Sequence, residues 1–346
     1  MPQPTVEIVP YLATPLPPLR ESYPPGTGGT GPRSEFKGAL KTVDVIKGLE
    51  GDVEKYLKTI PNEPIHPHPT HKYPKFVQAM STIPQVIKSP TDLQTCLSTL
   101  PLAGVSSMLT TLDCKEAGIE PGPKGAQGMD AAGYESDGGE EAETRGHVPK
   151  DDRVKPWYWQ YSKSPMGSGE FLLMQKGSDK VHLVVRTVNS AAFSGHDWEE
   201  YVVSGDYRYN TKSKASWYWS RTYGATTRLD CTHYVLTDWQ RWAFGVFDES
   251  RAHGYVSDVW AYDKTGPSVM QALFYWARSA IGKPNGFQIP SSSSESSKSG
   301  DKEIFTDNPA RRSSISGTKP RTPKDPRKVK AANESDIEES DAEDAA

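Results

Sequence analysis

Cysteine and histidine side chains are the first candidates for chemistry in this 346-residue chain. Cys231 and His233 lie two residues apart, a spacing that places both side chains on one face of a strand. Thiolate and imidazole groups bind zinc, and His182, His196 and His253 lie in the same region. No second paired ligand motif accompanies them, and a buried cysteine beside a hydrogen-bonded histidine explains the pair equally well. We therefore predict no metal and no other cofactor.

Metal-dependent nucleases of the restriction-endonuclease class offer a second chemistry. The hairpin pattern YVLTDWQRWAFGVF, residues 234–247, is typical of their sheet edges, and they need an acidic residue and a D/E-x-K set on adjacent strands to hold Mg²⁺. Asp179 could open such a set, but the following strand reads HLVVRTV and has no carboxylate at the ligand position. We predict that the protein is not an enzyme. The alternative is a divergent or inactive restriction-endonuclease-like domain that binds nucleic acid.

Glycines near the N-terminus match a dinucleotide-binding pattern. Gly26, Gly28 and Gly31 have the G-x-G-x-x-G spacing, but Pro24 and Pro25 precede them and no strand pattern leads into the loop. The G-x-G-x-x-G motif binds a dinucleotide only where a β-strand leads directly into the glycine-rich loop that contacts the phosphates. We interpret these glycines as part of a flexible segment.

A cationic and aromatic strip without acidic residues runs from Tyr207 to Leu229. Such a strip could stack bases and neutralise phosphates, or it could be two amphipathic strands with aromatic side chains inward and cations in solvent. We favour the strands and keep the nucleic-acid interpretation open. The candidate binding residues are Arg208, Lys212, Lys214, Trp217, Trp219 and Arg221.

The C-terminal segment is segregated by charge. Eight Lys or Arg and one Asp between Arg311 and Lys330 give a net charge of +7, and seven Asp or Glu without a base follow up to Ala346. The cluster Arg327, Lys328 and Lys330 fits the short basic motifs that nuclear import receptors bind. We therefore predict a nuclear protein with an import receptor among its partners.

Four serines in the same segment are candidate phosphorylation sites. Ser313 and Ser314 follow two arginines, which suits a basophilic kinase, and Ser335 and Ser340 each have a glutamate three residues later, which suits an acidophilic one.

Compartment and membrane signals agree with this location. The Pro-rich N-terminus has no basic region before an apolar run, so we predict no signal peptide. The uncharged stretch Leu93–Leu112 contains Pro101 and seven Ser or Thr, whose hydroxyls would be unpaired in lipid, so we predict no membrane partner. Three widely spaced cysteines argue for a reducing compartment.

The distribution of tryptophan sets the predicted domain boundaries. All nine lie between Trp157 and Trp276, so we expect residues 150–290 to fold alone. The predicted organisation is a disordered Pro/Gly-rich N-terminus (1–33), short helical segments (34–114), an acidic Gly-rich linker (115–150), a Trp-rich α+β domain (151–285) and a disordered tail with basic and then acidic halves (286–346).

Apolar periodicity predicts the elements of that domain. Hairpins are expected at 171–188 and 233–247, continued as a meander to 262, with a helix after Gly266-Pro267 in which Pro267 takes the first position. Trp242, Phe244 and Val246 alternate with other apolar residues, which indicates a strand covered on both faces. We predict an α+β fold, an antiparallel meander with packed helices. A further helix is expected from Phe36 to Leu57, with two short ones separated by Pro101.

The block from residue 228, beginning RLDCTHYVLTDWQRWAFGVFDESRAHGYVSDVWAYDKTG, to residue 282 resembles a module of proteins from mushroom-forming fungi. Within that group the chain is most similar to the Clampless family, nuclear regulators of clamp-cell formation and dikaryotic development in basidiomycetes. The resemblance covers residues 156–282. It implies a non-enzymatic regulator in the mating-type pathway that acts through regulatory proteins such as transcription factors. It supplies no active-site residues.

Overall fold

Nine strands drawn from residues 42–261 form one mixed sheet in the part of the chain that the structure describes. The structure is a computed structural model, and it describes residues 5–24, 38–68, 72–119, 154–163, 169–290 and 305. All of these belong to one unit, Met1–Phe305, and the second unit, Thr306–Ala346, lies outside the described residues. The helices are α1 (Ile8–Leu12), α2 (Leu49–Leu57), α3 (Phe76–Thr82), α4 (Pro90–Leu97), α5 (Ala103–Glu116), α6 (Gly195–Tyr201), α7 (Lys214–Arg228) and α8 (Val269–Ala280). The strands are β1 (Arg20–Glu21), β2 (Thr42–Ile46), β3 (Val86–Ile87), β4 (Trp157–Ser162), β5 (Glu170–Gln175), β6 (Val181–Thr187), β7 (Gly205–Asp206), β8 (His233–Thr237), β9 (Arg241–Phe247), β10 (His253–Ser257) and β11 (Trp260–Ala261).

The sheet has the order β4-β5-β6-β8-β9-β10-β2-β7, and β11 also pairs with β9. The predicted hairpins β5–β6 and β8–β9 are present and antiparallel. Two pairings are parallel, β6 with β8 and β10 with β2. The predicted α+β class is therefore confirmed, and the sheet is mixed because α7 carries the chain back from β6 to a parallel β8.

Helices cover the sheet on both faces, as the two-sided apolar pattern of β9 predicts. Trp242, Phe244 and Val246 join a cluster with α8 and with residues of the N-terminal half. Ala243 and Phe247, on the other face, pack with α6 and α7. Gly245 is required on this second face, because the Tyr234 ring lies within 2.6 Å of the position that a Cβ atom would take.

The predicted helix from Phe36 to Leu57 is wrong in its first half. Thr42–Ile46 is a strand inside the sheet, parallel to β10 and antiparallel to β7. Four β-branched residues in this segment favour extended backbone, and Gly48, with φ of 77°, separates the strand from α2. Phe36 itself lies outside the described residues.

The prediction that residues 1–33 are disordered is wrong for residues 5–24. Ile8, Leu12, Leu16 and Leu19 are buried against the α8 side of the sheet. Backbone carbonyls of this Pro-rich segment accept hydrogen bonds from the core, including those from Trp239 Nε1 to Pro17 O (3.1 Å), Gln240 Nε2 to Leu19 O (2.6 Å) and Ser268 Oγ to Leu12 O (2.6 Å). Proline needs no acceptor for a backbone N–H, so such a segment can be buried once its carbonyls are bonded.

Pro101 does not separate two helices as predicted. It lies in a π-helical turn, Ser98–Leu102, that joins α4 directly to α5. The continuous stretch Pro90–Glu116 is long and apolar enough to cross a membrane by length and composition, and 78% of its most apolar window is buried inside the fold. Its polar side chains bond within the core, since Thr110 Oγ1 accepts from Trp157 N (2.9 Å) and Asp113 Oδ2 accepts from Trp157 Nε1 (2.7 Å). This is the pattern of a core helix.

The C-terminal boundaries also differ from the prediction. Pro267 precedes α8, whose N-cap is Ser268 in a capping box with Gln271, so proline does not take the first helical position. The tail predicted from residue 286 is ordered in part: Phe287 packs on Trp276, and Phe305 is 3% exposed, with its carbonyl 2.6 Å from Asn210 Nδ2.

Residues 34–114 and 151–285 therefore contribute to one sheet and one core rather than to separate units. We now predict that a fragment of residues 150–290 does not fold alone, because it lacks β2 and the helices α1, α2, α4 and α5 that cover one face. A fragment of residues 1–305 should show cooperative unfolding by tryptophan fluorescence in urea, and the short fragment should not. A cooperative transition in the short fragment would contradict this.

Burial of Trp242 supports a second prediction. Its side chain has no exposed surface, and its Nε1 donates to Trp239 O at 2.8 Å. We expect Trp242→Ala to lower the free energy of unfolding by about 3 to 5 kcal/mol, since the cavity in a close-packed core relaxes only in part. Val77→Ala, at an 83% exposed position, is the control and should match the parent in urea denaturation.

Candidate functional site

A buried carboxylate and a buried guanidinium face each other across the β5–β6 hairpin. Glu170 begins β5, Arg186 lies near the end of β6, and the two are register partners. Arg186 Nη1 donates to Glu170 Oε1 at 2.6 Å, and the two residues are 5% and 1% exposed. Alternation along both strands turns these side chains to the face that α7 covers, beside Leu172 and Val184.

Two more arginines from α7 surround this pair. Arg228, the last residue of α7, donates from Nη2 to Glu170 Oε2 at 3.0 Å. Arg221, two turns earlier, accepts a hydrogen bond on its backbone carbonyl from Arg186 Nη1 at 3.2 Å. Its guanidinium carbon lies 3.8 Å from the centroid of the Trp217 ring, within the range of a cation–π contact. We call Glu170, Arg186, Arg221 and Arg228 the arginine cluster.

The arginine cluster has an excess of positive charge. The cluster contains three guanidinium groups and one carboxylate, which pairs with Arg186 and Arg228 only, so the formal charge is +2. Burial lowers the pKa of Arg186, and burial together with the nearby Arg186 charge lowers the pKa of Arg221 to about 10. Among the described residues, Arg186 Nε and Arg221 Nε and Nη2 are buried donors without an acceptor. The cluster is therefore suited to interact with an anion.

The predicted binding strip lies on α7 and on the loop before it, and its predicted β-structure is wrong. Ser213 caps the helix by accepting from Ser216 N at 3.0 Å. Trp217 and Trp219 are buried, and Trp219 donates to Tyr201 O at 3.0 Å, so neither ring can stack a base. Arg208 and Lys212 are exposed.

The cationic members of the strip that lie on α7 have specific positions. Lys214 lies 3.8 Å from Asp197, and Arg221 lies in the arginine cluster. A recurrence of cations every seven residues at 214, 221 and 228, preceded by a serine cap, was the signal for a helix in this segment.

Glu170, rather than Asp179, is the carboxylate that faces a neighbouring strand. Asp179 is exposed in the turn between β5 and β6. A Mg²⁺ ion at Glu170 would have to displace two arginines that already bond both carboxylate oxygens. The sequence signal for this site was Arg186, the one Asp, Glu, Lys or Arg residue in the mostly apolar strand VHLVVRT.

The cysteine and histidine candidates do not converge. Cys231 Sγ donates to His233 O at 3.8 Å, while the His233 ring contacts the Trp276 ring on the α8 side. His253 Nδ1 pairs with Thr42 Oγ1 at 2.7 Å, and the His182 ring packs on Trp157. Within the described ranges no group of three or more His, Cys, Asp or Glu residues could hold a metal ion.

A second buried acid, Asp238, has a structural role. Its Oδ1 accepts from Arg241 N at 2.7 Å, and its Oδ2 accepts from Trp198 Nε1 at 3.1 Å and Arg241 Nη1 at 3.2 Å. Burial raises the pKa of Asp238 despite these partners. Its bonds close the β8–β9 turn and attach α6 to it, which leaves no oxygen directed to a ligand.

Other predicted sites lie outside the described residues. These are the import cluster Arg327, Lys328 and Lys330, the serines Ser313, Ser314, Ser335 and Ser340, and the glycines Gly26, Gly28 and Gly31.

No family model, curated protein or solved structure matches the chain significantly. The resemblance of residues 156–282 to the Clampless family therefore stays a prediction.

His233 gives a testable pH dependence. Burial lowers its pKa to about 4, whereas an unfolded chain has a histidine pKa of about 6.5. Between these values the unfolded state binds a proton that the folded state does not, so stability falls as pH decreases from about 6.5 to about 4. We expect His233→Gln to remove this contribution, up to about 1.4 kcal/mol per pH unit, in urea denaturation at a series of pH values.

The matched control is His196→Gln, at a histidine whose side chain is 52% exposed. It should retain the parent's pH dependence. If His233→Gln and the parent lose stability in parallel between pH 6.5 and 4, His233 is not the group responsible.

Proposed function

We propose that the protein is a non-enzymatic nuclear regulator of fungal sexual development, active in clamp-cell formation and dikaryon growth, that acts by binding other proteins. The observation that supports binding over catalysis is the state of Glu170. Both of its oxygens are bonded to arginines, at 2.6 and 3.0 Å, so the carboxylate is neutralised by the fold itself. A catalytic carboxylate needs an oxygen that can bind a metal ion or a proton of the substrate.

The surface chemistry also favours protein partners. The aromatic side chains at 217 and 219 that could have stacked bases lie on the buried face of α7. Lys214 and Arg228 are each within 4 Å of a carboxylate, which reduces the positive potential along the helix. The basic cluster at 327–330 supports nuclear import, and the resemblance of residues 156–282 supports the developmental role.

An inactive restriction-endonuclease-like domain is the second candidate, and one observation favours it. Glu170 and Arg186 occupy paired positions on adjacent antiparallel strands, where such nucleases hold the carboxylates that bind Mg²⁺. Arginine at 186 and valine at 184 would then have replaced the D/E-x-K residues. A plasmid-nicking assay with Mg²⁺ or Mn²⁺ separates an active nuclease, which nicks the plasmid, from either binding protein, which does not.

The proposed function predicts the outcome of gene replacement in a mating-competent basidiomycete that encodes this chain. Deletion should prevent clamp-cell formation, and the wild-type gene should restore it. The triple variant Arg327→Ala, Lys328→Ala, Lys330→Ala, as a fluorescent fusion, should have a reduced nuclear fraction and restore clamp cells poorly, because import receptors need the basic side chains.

The matched control is Lys319→Ala, Arg321→Ala, Lys324→Ala, which removes the same charge from the same segment. It should behave as the wild type in both measurements. Normal clamp cells after deletion would contradict the developmental role, and equal nuclear fractions for the two triple variants would contradict the import cluster.

A further inference from the structure

Helix α7 carries three cations on one stripe. Lys214, Arg221 and Arg228 recur every seven residues, which is close to two helical turns, so they lie on the same side of the helix about 10 Å apart. The outer two have acidic partners, Asp197 at 3.8 Å and Glu170 at 3.0 Å. Within the described part of the chain, the side chain of Arg221 makes no ion pair or hydrogen bond.

The orphan donors of Arg221 share one edge of the guanidinium group. Nε and Nη2 are both buried without an acceptor among the described residues. This edge is the one that donates two parallel hydrogen bonds to two oxygens of a carboxylate or phosphate. Arg186 Nε, also an orphan donor, belongs to a residue that is 5% exposed and close enough to Arg221 to lower its pKa.

The surroundings of this edge favour a strongly acidic anion. Leaving a buried guanidinium donor unpaired is costly, and the excess charge of the arginine cluster adds to that cost. The Trp217 ring packs against one face of the Arg221 guanidinium group, with 3.8 Å between the guanidinium carbon and the ring centroid. This contact orients the two-donor edge before any ligand binds. Burial disfavours the charged form of Arg221, and an anion beside it would stabilise that form.

We propose that Arg221, with Arg186 behind it, binds a single phosphate group, supplied either as free phosphate or as a phosphorylated side chain. A dianionic phosphate offers three acceptor oxygens, enough for the paired donors of Arg221, and its charge offsets the excess positive charge of the arginine cluster.

A nucleic-acid backbone fits the same stripe less well. It needs successive cations that are available to successive phosphates and aromatic rings that can stack bases. Here Lys214 and Arg228 already have acidic partners, and the Trp217 ring is covered on one face by Arg221 and otherwise buried. The geometry provides one phosphate position.

Phosphate binding would add a ligand to the proposed regulator and does not depend on that function. It is measured on the purified full-length protein, whereas the developmental role is scored in mating cells. Either can fail while the other holds.

The test compares the wild type with Arg221→Gln and with the matched control Lys212→Gln, which removes one exposed cation from the neighbouring loop. The probes are inorganic phosphate, a peptide of residues 331–346 phosphorylated at Ser335 and Ser340, the same peptide without phosphate, and an oligo(dT) strand. Binding is measured by calorimetric titration at fixed ionic strength and by the thermal unfolding midpoint.

We expect inorganic phosphate, the phosphopeptide or both to bind the wild type and Lys212→Gln equally and to bind Arg221→Gln about 10- to 100-fold more weakly. Whichever phosphate probe binds more tightly identifies the source of the group. Arg221→Lys keeps the charge but lacks the two-donor edge, so it should also bind phosphate at least about tenfold more weakly than the wild type. It replaces Arg221→Gln in the comparison if that variant does not fold.

Three results would overturn the proposal. One is the absence of binding by either phosphate probe up to about 10 mM. Another is equal affinity of the wild type and both Arg221 variants. The third is Arg221-dependent binding of oligo(dT) that is tighter than binding of both phosphate probes, which would identify a nucleic-acid surface instead.

Discussion

Strand β9 carries apolar side chains on both faces. The layered arrangement of helices around the sheet follows from the need to shield both faces of this strand from water. Trp242 and Phe244 require cover on one side, and Phe247 requires it on the other. Helix α8 covers only part of the first face, and the N-terminal segments complete the layer. Because burial of apolar surface is the main favourable term in folding, these distant segments join one cooperative core.

Two buried arginines show how the two helical layers differ. On the α8 side, Arg278 bonds Asp113 at 3.0 Å and also bonds Glu116 and Tyr56, while Lys283 shares the same two acids. Two cations there face two carboxylates. Burial alone would lower the pKa of Arg278, but interactions with Tyr56 and Glu116 outweigh it and raise that pKa. On the α7 side, burial lowers the pKa of Arg186. The α8 network is therefore balanced in charge, whereas the arginine cluster has an excess of positive charge that the proposed phosphate would offset.

The candidate site was only partly predictable from sequence. The segment that contains Arg221 could be identified from sequence, because it has several cations and no acidic residue between them. Glu170 and Arg186 were missed as a pair, since 15 residues lie between them and only the hairpin register places them opposite each other. Trp217 and Trp219 were misplaced because aromatic residues at two-residue spacing, as at 207 and 209 and at 217 and 219, match a strand period over a short window, while the serine cap and the seven-residue recurrence of cations indicate a helix.

By itself, the sequence determined the fold class, the β5–β6 and β8–β9 hairpins and the two-sided cover of β9, because these depend on local turn chemistry and on apolar periodicity. Only the tertiary structure decided that Thr42–Ile46 enters the sheet, that apolar side chains of the Pro-rich segment 5–24 are buried in the core, and that Arg221 lies beside Arg186. These arrangements are set by packing between distant segments, some of which lie 256 residues apart in sequence. Short periodicities carry no information about which distant surface a segment will meet.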